Sequence, residues 1–151
     1  MKKLILFSVI LFSLVSCGYK SEYDSAGQVT SFPAIVEKSD WEILILALIQ
    51  VESGGDTLAV GKANDVGALQ ITPIYVREVN RILGEERYGL ESRLSLSASL
   101  EMFEIMQSHH NPNKDIDRAI KLHNPKAGDW YRERVYNEMN KIRDNEYESC
   151  L

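Results

Sequence analysis

The segment Trp41-Glu42-Ile43-Leu44-Ile45-Leu46-Ala47-Leu48-Ile49-Gln50-Val51 constrains this chain more than any other, because it is apolar at nearly every position and ends in Glu52-Ser53-Gly54-Gly55. As a helix it is hydrophobic on almost every face, so it belongs at the centre of a core and not on a surface. Ser39 or Asp40 supplies an N-cap, and the helix is expected to run to about Glu52. Leu48 and Ile49 then lie one turn behind Glu52 on the same face, where desolvation disfavours the ionised carboxylate. The negative end of the helix dipole acts in the same sense. A carboxylic acid kept protonated near neutral pH can hand its proton to a leaving-group oxygen, which is the chemistry that breaks a bond between sugars.

The N-terminus opens with Met1-Lys2-Lys3, continues as an apolar run from Leu4 to Val15, and closes with Leu14-Val15-Ser16-Cys17. The run is too short for an ordinary membrane-spanning helix and has the basic start and small-residue end of a secretory signal. It resembles the lipobox of bacterial lipoprotein precursors, which implies cleavage before Cys17 and a lipid on that cysteine. The expected organisation is a signal peptide over 1–16, a lipidated cysteine and flexible tether over 17–38, a folded domain over 39–145 and a tail over 146–151. The tether, polar and broken by Gly18, Gly27 and Pro33, reaches on the order of 25 Å as a flexible chain. The expected location is the bacterial cell envelope, at an outer membrane or periplasmic face.

Cys17 and Cys150 are the only cysteines. A lipidated Cys17 leaves Cys150 as a free thiol with no intramolecular disulfide. About 135 residues follow the leader, enough for one domain and not two, and a monomer is expected. With a formal net charge of −5 the chain has no basic footprint for nucleic acid. The same charge argues that an anionic wall polymer would be held by shape and hydrogen bonds instead of by charge.

Beyond the first helix the pattern remains helical. Gly54 to Ile71 is glycine-rich and reads as irregular with a small hairpin. Thr72-Pro73 starts a helix that runs to about Leu83, where Gly84 closes it. Leu94 to Leu100 alternates like a strand, but its continuation through Met102, Phe103, Ile105 and Met106 favours a helix. His109-His110-Asn111-Pro112-Asn113 interrupts the pattern, Asp115 to about Leu122 forms a short helix, and a last helix begins near Asp129 with Tyr131, Val135, Met139 and Ile142 on one face. The fold class is mostly α with a small irregular or β lobe, and Glu52 sits where the two meet.

Glu52-Ser53-Gly54, Ala59-Val60 and Gly67-Ala68-Leu69-Gln70-Ile71-Thr72-Pro73 together resemble the signature of the soluble-lytic-transglycosylase family. That family pairs a Glu-Ser with a Gly-x-(Leu/Met)-Gln-Ile-x-Pro segment on a lysozyme-like fold. Ala119-Ile120-Lys121-Leu122-His123-Asn124-Pro125-Lys126-Ala127-Gly128, followed by Tyr131 and Val135, resembles the family's later Ala-x-x-x-(Tyr/Trp)-Asn-x-Gly block. The resemblance spans about residues 40 to 140. It implies cleavage of the β-1,4 bond between N-acetylmuramic acid and N-acetylglucosamine in peptidoglycan glycan strands, without a cofactor or metal. It assigns catalysis to Glu52 and substrate contacts to Ser53, Gln70, His123, Asn124 and Tyr131; the family's matching serine also contacts the catalytic carboxylate.

One carboxylate suffices for that reaction, in contrast to the pair used by ordinary glycosidases. A hydrolytic muramidase, with Asp56 or Asp65 activating water, and a non-catalytic wall-binding protein are the alternatives. The chain departs from the family at Asn64-Asp65, at His123, where the family carries Tyr or Trp, and at Pro125-Lys126. An imidazole stacks less area on a sugar and titrates near neutrality. His109, His110, Asp115 and Asp117 lack metal-binding spacing and read as a polar loop.

Overall fold

The computed structural model describes the backbone of residues 22–23, 29–31 and 38–148, with side chains from 38 to 145. The expected signal peptide, Cys17 and Cys150 lie outside the described residues. The chain divides into two units, Met1–Glu37 and Lys38–Leu151. In the first, strands β1 (Glu22–Tyr23) and β2 (Val29–Ser31) pair antiparallel, Glu22 opposite Ser31 and Tyr23 opposite Val29. The segment expected to be a plain tether thus contains a short ribbon, a structure only marginally stable by itself in water.

The second unit is helical: α1 (Asp40–Ser53), α2 (Pro73–Leu83), a 3₁₀ turn (Leu90–Leu94), α3 (Leu96–His110), α4 (Ile116–His123) and α5 (Asp129–Glu148). Local chemistry fixes where α1 begins and ends. Ser39 Oγ accepts from the Glu42 N–H at 3.3 Å while Glu42 Oε2 accepts from the Ser39 N–H at 2.8 Å, a reciprocal capping box. Gly54 stops the helix in the left-handed region at φ 65°. Between these ends Leu44, Ala47 and Leu48 are fully buried, as the apolar sequence requires.

The core around α1 is built from Val76 and Val79 of α2, Met102 and Phe103 of α3, Ala119 and Ile120 of α4, and Tyr131, Val135 and Met139 of α5. Ile142 packs against its edge, so the apolar face read from the sequence of α5 is the face that is buried. The helix α2 starts as expected, with Thr72 Oγ1 accepting from the Tyr75 N–H at 3.2 Å and Pro73 in its first turn. In α3 the alternation of Leu94–Leu100 gives way to helix, capped by Ser95 through the Ala98 N–H at 3.4 Å.

The polar loop candidates are occupied by structure. Asp115 caps α4 through the Arg118 N–H at 2.7 Å, Asp117 binds the Arg132 guanidinium at 2.6 Å, and His110 Nε2 lies 2.9 Å from Glu78 Oε1. The lobe over residues 54–71 is irregular, with isolated antiparallel bridges joining Val60 to Val66 and Val66 to Ile71.

Candidate active site

Three helix ends meet at one carboxyl oxygen. Glu52 occupies the last turn of α1 with its side chain 15% exposed. Tyr131, in the first turn of α5, donates its phenolic proton to Glu52 Oε1. His123, the last residue of α4, brings Nε2 to 3.5 Å from the same oxygen. Oε2 accepts a hydrogen bond from no described group.

The surroundings of these partners set their proton states. The His123 ring is 4% exposed and is held edge-on between Tyr75 and Phe103, with ring centres 6.1 and 5.9 Å away. Burial holds its pKa below the ordinary histidine value, against the Glu52 charge and the Leu69 backbone, which favour protonation. Burial, then the Glu52 charge and hydrogen bond, push the Tyr131 phenol up, so it remains a donor at any ordinary pH. Tyr75 is likewise pushed up by burial.

The remaining expected site residues build the frame around the carboxylate. Ser53 Oγ donates to the Ala68 carbonyl at 2.9 Å and accepts from the Gly55 N–H at 3.1 Å. Its hydroxyl thus fastens the end of α1 to the lobe and makes no hydrogen bond with Glu52, contrary to what the resemblance implies. Gln70, at a left-handed φ of 46°, uses Nε2 to bind the carbonyls of Ala59 (3.2 Å) and Gly67 (2.9 Å). Its carbonyl Oε1 is engaged by no described group, which leaves one amide function for a ligand. Asn124 closes α4, its N–H donating to the Ile120 carbonyl at 3.1 Å.

His123 and Tyr131, expected to contact substrate, have buried rings, and both turn a polar atom toward Glu52. Small rings at helix ends can fill the core and still reach a neighbouring carboxylate, and that is the use made of them.

Sequence reading missed Arg93. Six per cent exposed, it donates from Nε to the Leu90 carbonyl at 2.7 Å and from one terminal nitrogen to the carbonyls of Asn64 (2.6 Å) and Ile71 (3.1 Å). Its own carbonyl presses on Gly67, where a Cβ would come within 2.0 Å of that oxygen. With φ at 83° and no room for a side chain, Gly67 admits only glycine, so the Gly67–Gln70 turn is pinned from behind. The only signal in the sequence was a basic residue in a short polar run, which is no signal at all.

A family model described as the transglycosylase SLT domain matches residues 31–141. The chain belongs to the SLT transglycosylase family. The predominantly helical architecture agrees with the lysozyme-like build of an SLT domain. Membership makes it a lytic transglycosylase in general terms, with peptidoglycan glycan strands as the substrate class. No curated protein and no solved structure matches the chain.

Proposed function

We propose that this SLT domain cleaves the β-1,4 bond between N-acetylmuramic acid and N-acetylglucosamine with Glu52 as the single proton carrier. As acid, Glu52 gives its proton to the glycosidic oxygen, and the C1–O bond breaks to release the 4-hydroxyl of the N-acetylglucosamine side. As base, the resulting carboxylate takes the proton of the muramic acid C6 hydroxyl while that oxygen bonds to C1. No water is consumed, the carboxyl group returns to its starting state, and the product is a 1,6-anhydro end. We further propose that a lipid on Cys17 holds the protein at a membrane of the bacterial envelope.

The observation that carries the reading is the company of Glu52: within hydrogen-bond and ion-pair reach it has a phenol and an imidazole and, among the described residues, no second carboxylate. The two candidates for activating water each brace their own loop, Asp56 Oδ1 accepting from the Leu58 N–H at 2.8 Å and Asp65 Oδ1 from the Ala63 N–H at 2.9 Å, and neither is bonded to Glu52 or its partners. A retaining or inverting hydrolase needs two carboxyl groups across the scissile bond.

Purified peptidoglycan digested by the wild type should yield 1,6-anhydro muropeptides by mass. Glu52→Gln, which keeps shape and loses the proton, should lower turnover by at least ~10²-fold. Reducing-end products would move the protein to the muramidases, and undiminished cleavage by the variant would remove Glu52 from the chemistry.

A further inference from the structure

We infer that His123 and Tyr131 are positioning residues that hold Oε1 of Glu52 as a fixed anchor, so that Oε2 alone gives and takes the proton. The inference rests on the reading of Glu52 as the proton carrier and adds which of its two oxygens reacts.

The two carboxyl oxygens are in unequal surroundings. Oε1 has the Tyr131 hydroxyl donating to it and His123 Nε2 at 3.5 Å, whereas Oε2 has no described partner. A proton on Oε1 would set the acid's O–H against the phenol's O–H and forfeit the donation from Tyr131. The acid form therefore carries its proton on Oε2, the oxygen left for a substrate.

His123 offers only one useful arrangement toward that anchor. Its ring is 4% exposed and boxed edge-on by Tyr75 and Phe103, so it cannot swing out to solvent without opening the core. Nε2 faces Glu52 and Nδ1 is buried with no hydrogen bond to a described group, while the Leu69 backbone near the ring also favours an N–H. A neutral imidazole has one N–H and one lone pair. A lone pair on Nε2 would repel the carboxyl oxygen, and an N–H there attracts it. The Glu52 contact favours the tautomer with the proton on Nε2, and the alternative, an N–H on Nδ1 directed at the Leu69 backbone, is the outcome the spectroscopy below separates from it. The 3.5 Å separation exceeds an ordinary N–H···O bond, and contacts of this kind shorten when substrate binds and charge develops. On loss of the Oε2 proton the negative charge is met at Oε1 by the phenol, which already donates there, and by the imidazole beside it, which closes the 3.5 Å gap.

The test combines spectroscopy on the intact chain with kinetics. In protein labelled with ¹⁵N-histidine, long-range proton–nitrogen spectra at neutral pH should show His123 neutral and protonated on Nε2. Its signals are assigned through substitutions at His109 and His110, so the measurement does not depend on a variant of His123 folding. An Nδ1–H tautomer or a doubly protonated ring would overturn the inference. On soluble glycan strands, His123→Phe keeps an aromatic ring and removes the donor, and should lower kcat by about 10- to 100-fold with KM within about twofold. His123→Gln carries an amide N–H at similar reach and should recover most of that loss. Tyr131→Phe, which deletes the other donor, should lower kcat in the same way. Equal losses in His123→Phe and His123→Gln accompanied by a lowered Tm would mark a packing role and overturn the assignment, as would a wild-type kcat in His123→Phe. Absence of anhydro products from the wild type would instead overturn the proposed reaction, and the tautomer measurement would still stand apart from it.

Discussion

Arg93→Met asks how much of the lobe's placement depends on one buried cation. Methionine keeps the apolar stem of Arg93 and removes three charge-assisted hydrogen bonds, to the carbonyls of Leu90, Asn64 and Ile71 at 2.7, 2.6 and 3.1 Å. Each such bond contributes on the order of 1.5–3 kcal/mol. The carbonyls are not equally orphaned by its loss. Ile71 still accepts from the Val66 N–H at 3.1 Å, and Asn64 is an exposed residue that water can reach. The uncompensated loss is then about one to two bonds, or ~2–4 kcal/mol, which for a domain of this size lowers Tm by roughly 8–16 °C. Differential scanning calorimetry measures the total. Amide exchange locates it, because the paired Val66 and Ile71 N–H groups should exchange faster in the variant than the amides in the middle of α1. A Tm within about 3 °C of wild type together with unchanged exchange at Val66 and Ile71 would refute the clamp.

Two further outcomes test other parts of the molecule. Glu78 is held at about 2, chiefly by the Arg81 guanidinium with His110 assisting and desolvation opposing, so its ion pairs contribute stability above the unfolded value near 4.5 and lose it as pH falls toward 2. Thermal melts across that interval should fall less steeply for Glu78→Gln than for wild type, and parallel slopes would show that these pairs contribute nothing to acid lability. Cys17→Ser should abolish incorporation of radiolabelled palmitate and release the protein from membranes, whereas equal labelling of variant and wild type would end the lipoprotein proposal.

The parts of this fold that were legible in the sequence are those fixed within a few residues. Ser39, Thr72 with Pro73, and Gly84 are start and stop signals whose chemistry is local, and α1 begins, and α2 begins and ends, where those signals stand. Glu52 was legible for the same reason, since its apolar neighbours precede it on its own helix. Its partners were not, because Tyr131 lies 79 positions away and its burial face could be read without its hydroxyl's destination. The contact of His123 with Glu52 was not legible either, since composition gives no sign that the end of α4 turns inward. The 3₁₀ turn over Leu90–Leu94 lacks both periodicity and a strong cap, and with it went the one arginine that joins lobe to helices.

A residue that must act first as acid and then as base needs an environment that serves both states without rearranging between them. Two donors sharing both oxygens of Glu52 would compete with the proton in the acid form, and no donors would leave the carboxylate uncompensated once the proton had gone. Gathering both partners on Oε1 resolves the conflict. The phenol of Tyr131, pushed up by burial, donates to Oε1 whether Oε2 is protonated or bare, and the His123 ring, in the tautomer inferred above, turns its N–H to that same oxygen. In the proposed reaction only the occupancy of Oε2 changes during turnover. The proton given to the glycosidic oxygen and the proton taken from the C6 hydroxyl then pass through one atom. For both transfers to reach it, the scissile oxygen and the C6 hydroxyl must lie on the same side of the sugar ring, which is the geometry that a 1,6-anhydro product requires.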